Sequence, residues 1–253
     1  MTNNAPLLIL EDISFSYPGS RQPVLNSLDF RLDVDQRVGL IGPNGQGKTT
    51  FLHACLGLLP LQSGRVLFKG TQIRTKHDLR QLRRNIGLVF QNPEDQLFCP
   101  TVIEDVAFGP LNLGFTPAQA REQAAEVLNV VGLSGFEKRI THKLSGGEKK
   151  LLSLATILAM QPRVLLLDEP TAGLDPDTRE KVIRIIKNLN PGLLIVSHDW
   201  DFLYQTTAEL KTLEQGKLIN RDRNVLHQHV HYHPSGHVPH EHETGQQAVV
   251  GGQ

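Results

Sequence analysis

Short apolar runs separated by clusters of Gly, Pro, Asp and Asn fill the first third of the chain. Residues 6–13 read as a strand, 14–23 as a turn holding Tyr17, Pro18, Gly19 and Pro23, and 24–32 as a second strand that alternates in part. Residues 33–36 turn back into a short apolar strand, 38–41, followed by a glycine-rich loop and a helix over about 48–58. A strand at 65–68, a turn at Lys69–Gly70, a basic helix or turn at 77–84 and a strand at 86–90 complete this alternation.

From 101 to about 137 the pattern turns helical. Thr101 with Glu104 resembles a capping box, and Thr116-Pro117 opens an alanine-rich helix to Val131. A third helix opens at 144–148 and reaches Met160. The alternation then resumes. Strand 163–167 is apolar enough to be buried on both faces, helix 176–189 is amphipathic, strand 192–196 is again buried, and a helix spans 199–207. Residues 210–213 and 218–219 read as a closing hairpin. Together these elements predict an α/β domain interrupted by a helical subdomain near 101–160. After about Arg221 the periodicity stops, and 221–253 is expected to be a disordered tail.

Composition narrows the function classes. Acidic and basic side chains balance at 26 each, so nothing argues for a nucleic-acid partner or a charged membrane surface. Two cysteines, Cys55 and Cys99, are too few for a disulfide framework. Nothing at the N-terminus reads as a cleavable leader, and the longest near-apolar run, 151–160, is too short to cross a bilayer. Any membrane role must come through a partner.

The chemistry begins at Gly42-Pro43-Asn44-Gly45-Gln46-Gly47-Lys48-Thr49-Thr50, which fits the phosphate-loop pattern G-x-x-x-x-G-K-[ST]. Glycines let backbone N–H groups turn toward a polyphosphate, Lys48 adds a point charge, and the Thr49 hydroxyl can ligate Mg²⁺. Asp168 ends a buried strand and can hold Mg²⁺. Glu169 follows as a candidate general base. Taken alone, an Asp-Glu pair would more simply be a strand-to-turn transition; beside a phosphate loop that reading weakens. Ser145-Gly146-Gly147-Glu148 at a helix start makes an anion site. A plain cap would explain Ser145 but not the double glycine.

LSGGE shortly before LLLDEP, after GPNGQGKTT, resembles the ATPase subunit of ATP-binding-cassette (ABC) systems over residues 7 to about 220. The resemblance implies ATP and Mg²⁺ as cofactors and, over 7–220, the α/β ABC ATPase fold, a P-loop core with an antiparallel β subdomain and a helical signature subdomain. It implies that Gln91 senses Mg²⁺ and the γ-phosphate, that Gly173-Leu174-Asp175 crosses between two ATPases, that His198 is the switch histidine and that Tyr17 stacks on adenine. A turn tyrosine on the surface and a hydrogen-bonded histidine at a strand end remain open for those last two. It further implies a head-to-tail homodimer in which Ser145 and Gly147 of one copy cap the γ-phosphate held by the other.

VFQNPEDQLF followed by VIEDVAFGPLNLG resembles the ATPases of energy-coupling-factor importers, especially their cobalt and nickel branch. That implies a transmembrane scaffold protein gripped by 92–98, a substrate-binding membrane protein, and a location on the cytoplasmic face of the cell membrane. The tail adds His227, His229, His231, His233, His237, His240 and His242, whose neutral imidazoles suit transition metals. The alternatives are a solvated tail without a metal role, an importer of a vitamin or other small solute, a soluble ABC ATPase, and a nucleotide-binding metal store.

Overall fold

The computed structural model describes residues 6–222. The seven tail histidines lie outside them.

Six of the strands read from the sequence line up in one sheet, whose apolar runs are covered on both sides. Its order is β10(Lys217–Arg221)–β9(Glu209–Glu214)–β3(Arg37–Ile41)–β8(Gly192–Val196)–β7(Val164–Asp168)–β6(Ile86–Val89). All are parallel except β10, which runs back along β9. Every residue of β6, β7 and β8 is buried. Successive side chains point to opposite faces, so each strand feeds two cores. Leu165, Leu167, Leu193 and Ile195 enter one core. Val164, Leu166, Leu194 and Val196 enter the other. Full burial of such a side chain stabilises by about 1.5–3 kcal/mol, which makes these strands the rigid part of the molecule.

A second, antiparallel sheet has the order β2(Leu25–Leu32)–β1(Leu8–Phe15)–β4(Ser63–Phe68)–β5(Thr71–Gln72). It shares its core with α1(Lys48–Cys55), whose Phe51 stacks edge-on against Phe30 at 5.0 Å between ring centroids. The opposite core is covered by α3(Val102–Leu113), α4(Pro117–Val130) and α5(Gly146–Leu158), with α6(Pro176–Lys187) and α7(Trp200–Thr206). The basic helix is α2(Lys76–Asn85), capped by Thr75.

Several boundaries and one pairing differ from the sequence reading. β1 runs on to Phe15, and Phe90 falls outside β6. α1 stops at Cys55, because Gly57 adopts a left-handed φ of 59°. The expected closing hairpin is more than a hairpin: β9 pairs in parallel with β3, Val38 opposite Glu209, and widens the central sheet. No described helix is long and apolar enough to cross a membrane.

Candidate active site

Parallel strands deliver their following loops to one edge of the sheet. Here β3 leads into the phosphate loop, β7 into Asp168-Glu169, β8 into Ser197-His198 and β6 into Phe90-Gln91. The sheet therefore gathers residues more than a hundred positions apart.

In the phosphate loop Gly42, Gly45 and Gly47 have φ of 136°, 80° and 94°, values that favour glycine. Gly47 has a second constraint: a Cβ there would come within 2.5 Å of Val24 Cγ1. The Lys48 ammonium donates back to the Gly42 and Pro43 carbonyls at 2.6 and 2.8 Å, so it is held across the mouth of the loop. Burial pushes its pKa down, and the Glu169 and Asp168 carboxylates oppose that. Tyr17 lies beside the loop. Its hydroxyl is 3.0 Å from Thr50 Oγ1 and its ring packs edge-on to Phe15.

The Thr49 hydroxyl donates to Asp168 Oδ2 at 2.8 Å. A hydroxyl beside a buried carboxylate is a donor set that fits a hard divalent cation such as Mg²⁺. Glu169 is buried and adopts φ of 46°, a strained value for a residue with a Cβ. Its amide donates to Val196 O, and its Oε2 accepts from Ser197 Oγ and the His198 amide. Its Oε1 is buried without a hydrogen-bond partner among the described residues. His198 Nε2–H donates to Asn44 Oδ1 at 2.9 Å and stands 3.6 Å from Glu169 Oε1. Asn44 of the loop, Glu169 and His198 thus meet around one carboxylate oxygen that accepts no hydrogen bond.

Three residues that the sequence reading missed brace this centre. Arg179 on α6 binds Asp199 with Nε–Oδ2 2.7 Å and Nη2–Oδ1 2.9 Å, and also Asp201, which fixes the residue after His198. Burial works against the Asp199 charge, but Arg179 and the Phe202 amide hold its carboxyl below the usual range. Lys150 on α5 is buried and donates to the Gln91 carbonyl at 2.6 Å. Burial pushes its pKa down to about 8, although Asp168 and Glu169 pull the other way. Gln96 accepts from the Phe90 amide and donates to Ser153 O and Thr156 Oγ1. A buried lysine inside a Lys-Lys pair carries no sequence mark; only the fold reveals it.

Not every predicted site residue joins the centre. The Gln91 side chain is exposed, and no hydrogen bond links it to Thr49 or Asp168. Lys150 holds this segment through the Gln91 carbonyl. Ser145 is exposed and caps α5 in a closed box with Glu148: the Glu148 amide donates to Ser145 Oγ, and the Ser145 amide donates to Glu148 Oε2. Glu148 also meets Arg139 at 3.3 Å. Gly147 abuts the start of α6, where Asp175 caps the helix by accepting from the Thr178 amide. Ser145 bonds to nothing in its own phosphate loop.

A glycine loop between a parallel strand and a helix, with the Thr49–Asp168 pair beside it, is the architecture of a P-loop nucleotide-binding protein. The ABC transporter family model matches residues 25–172. The chain belongs to the ABC transporter ATP-binding family, whose members hydrolyse ATP to drive transport. A putative ABC transporter ATP-binding protein of Nitratidesulfovibrio vulgaris is 51% identical over 96% of this chain and 89% of its own length. The energy-coupling factor transporter ATP-binding protein EcfA of Methanothermobacter thermautotrophicus is 44% identical over 84% of this chain and 70% of its own. Among solved structures, cbiO1 of Clostridium perfringens, described as part of the ABC transporter complex cbiONQ, superposes with TM-score 0.75, 32% identity, and 85% and 87% coverage. The dimeric bacterial cassette MJ0796 superposes with TM-score 0.76 at 25% identity, covering 85% and 98%.

Proposed function

We propose that this chain is the ATPase of an energy-coupling-factor importer for a transition-metal cation, nickel or cobalt. The observation that carries its catalytic part is the buried, unpartnered Glu169 Oε1 beside the Thr49–Asp168 pair. In this reading Lys48 and the loop amides hold the β- and γ-phosphates of ATP. Thr49 and Asp168 would hold Mg²⁺, which supplies positive charge against the phosphates when bound. Glu169 Oε1 accepts a proton from the attacking water as its oxygen bonds to the γ-phosphorus and the bond to the bridging oxygen breaks. The proton then passes to phosphate. His198, held by Asn44 and by the Arg179–Asp199 clamp, contacts the γ-phosphate. Tyr17 offers its ring to adenine. Ser145 and Gly147 act on the nucleotide of a second copy, which makes ATP the glue of a homodimer. Ser145's isolation from its own loop and the dimeric MJ0796 cassette support that arrangement.

The importer reading rests on the wording of residues 89–114 and on the likeness to EcfA and cbiO1. Its partners are a transmembrane scaffold protein docked on 92–98 and a substrate-binding membrane protein, with this chain peripheral on the cytoplasmic face. The histidines of 227–242 bind the cargo metal or its relatives near the transporter. The test is reconstitution in vesicles of this chain with the membrane proteins that co-purify with it. ATP-dependent uptake of labelled nickel or cobalt is expected. Uptake of a vitamin instead, or co-purification with no membrane protein, would overturn the reading.

A further inference from the structure

Three carboxylates are buried among the described residues: Asp168 and Glu169 at the nucleotide site, and Asp105 away from it, 3% exposed. Asp105 lies in the first turn of α3 but does not cap it, since Glu104 takes that role at Thr101. Its bonds reach two other segments. Oδ1 accepts from the Phe98 and Cys99 amides at 3.1 and 3.0 Å, and Oδ2 accepts from the Thr141 hydroxyl at 2.9 Å. Phe98 ends the segment read above as the docking surface. Thr141 is itself buried and stands four residues before Ser145.

Neighbouring backbone bonds tighten the joint. The Thr141 amide donates to Pro100 O at 3.0 Å, the Val102 amide to Arg139 O at 3.1 Å, and Thr101 bridges to Ile140. The Leu144 amide then donates to Thr141 O at 3.2 Å, so the step from Thr141 to the signature serine is a tight turn. A carboxylate that accepts three hydrogen bonds needs no cation, and its removal would leave the Phe98 and Cys99 amides without this partner.

We infer that Asp105 is a positioning residue that couples the loop ending at Phe98-Cys99 to the loop carrying Ser145, so that nucleotide-driven movement of one is felt by the other. The inference rests on the proposed pairing of Ser145 with ATP on a second copy. A mere structural clip would stabilise both loops without linking their responses to ATP. Coupling through such joints is modulated by single substitutions by roughly two- to thirty-fold.

Cys99 is a built-in reporter. Cys55 is fully buried in the core, so maleimide labelling of the folded chain reads Cys99. The comparison is the ratio of labelling rates with and without Mg-ATP, measured in the full chain carrying Glu169→Gln. The ratio is needed because burial, and then Asp105, raise the Cys99 thiol to about 11, and removing Asp105 shifts the baseline rate. In the parent the ratio should differ from one by about two- to thirty-fold as the dimer forms. Adding Asp105→Ala should bring it close to one while binding of a fluorescent ATP analogue is unchanged. Asp105→Asn should keep it, since the amide oxygen still accepts from both backbone N–H groups and the NH₂ donates to Thr141 Oγ1. If Asp105→Ala loses its helical circular dichroism, Thr141→Val carries the test by cutting only the Oδ2 bond, and should reduce the ratio. A folded Asp105→Ala or Thr141→Val chain with the parent's ratio overturns the inference, as does a parent that dimerises without any change at Cys99. A parent that stays monomeric in Mg-ATP overturns the functional reading and the inference together.

Discussion

At the scale of single residues, the centre is set by one unpaired atom. Glu169 is buried, strained at φ 46° and bonded through every polar group except Oε1. Glu169→Gln keeps the shape and removes the base. Steady-state hydrolysis should fall by roughly 10²- to 10⁴-fold while equilibrium binding of ATP persists. An unchanged turnover would remove Glu169 from its role. Lys150 makes a second prediction. Its folded pKa, about 8, lies below the ordinary 10.5, so the unfolded chain binds more protons between those values. Stability contributed by this group therefore rises with pH across that window. Thermal melts of wild type and Lys150→Met from pH 7 to 10.5 should show wild type gaining on the variant above pH 8. Parallel curves would contradict the buried-ammonium assignment.

At the scale of elements, the strands were legible because a sheet covered on both faces demands unbroken apolar runs, as at 164–167 and 192–196. Helix starts were legible because a cap is a local bargain between a hydroxyl and a residue three positions on, as at Thr101–Glu104, or because Pro fits the first helical position, as at Thr116-Pro117. What stayed hidden depends on distant partners. Residue patterns do not tell that β9 lies along β3, since Val38 and Glu209 meet only in the folded chain. The same holds for Lys150, Asp105 and Arg179, each of which reads as an ordinary solvated charge in its local sequence. The phosphate loop could be found because its chemistry is contiguous; the anchoring of the Gln91 backbone could not, because its partner Lys150 is distant in sequence. Two substitutions test the elements. Gly47→Ala forces a Cβ toward Val24 at a φ of 94°, and should abolish nucleotide binding in a calorimetric titration. Ser145→Ala removes the α5 cap bond, which should cost about 1 kcal/mol in denaturant unfolding. Binding of ATP to the monomer should be intact in that variant, because the serine makes no contact with its own phosphate loop.

At the scale of the whole molecule, the site is divided. One chain gathers the phosphate loop, the Thr49–Asp168 pair and Glu169 at one edge of its central sheet, while Ser145 bonds to Glu148 rather than to that loop. Under the proposed mechanism a second copy completes the site, and the ATP-bound dimer is the state from which transport is driven. The measurement that tests this most directly is sedimentation of the Glu169→Gln chain with and without saturating Mg-ATP. A dimer formed only with nucleotide, and lost again when Ser145→Arg is added, is the predicted result. A chain that remains monomeric with Mg-ATP, alone and with its membrane partners, would contradict it.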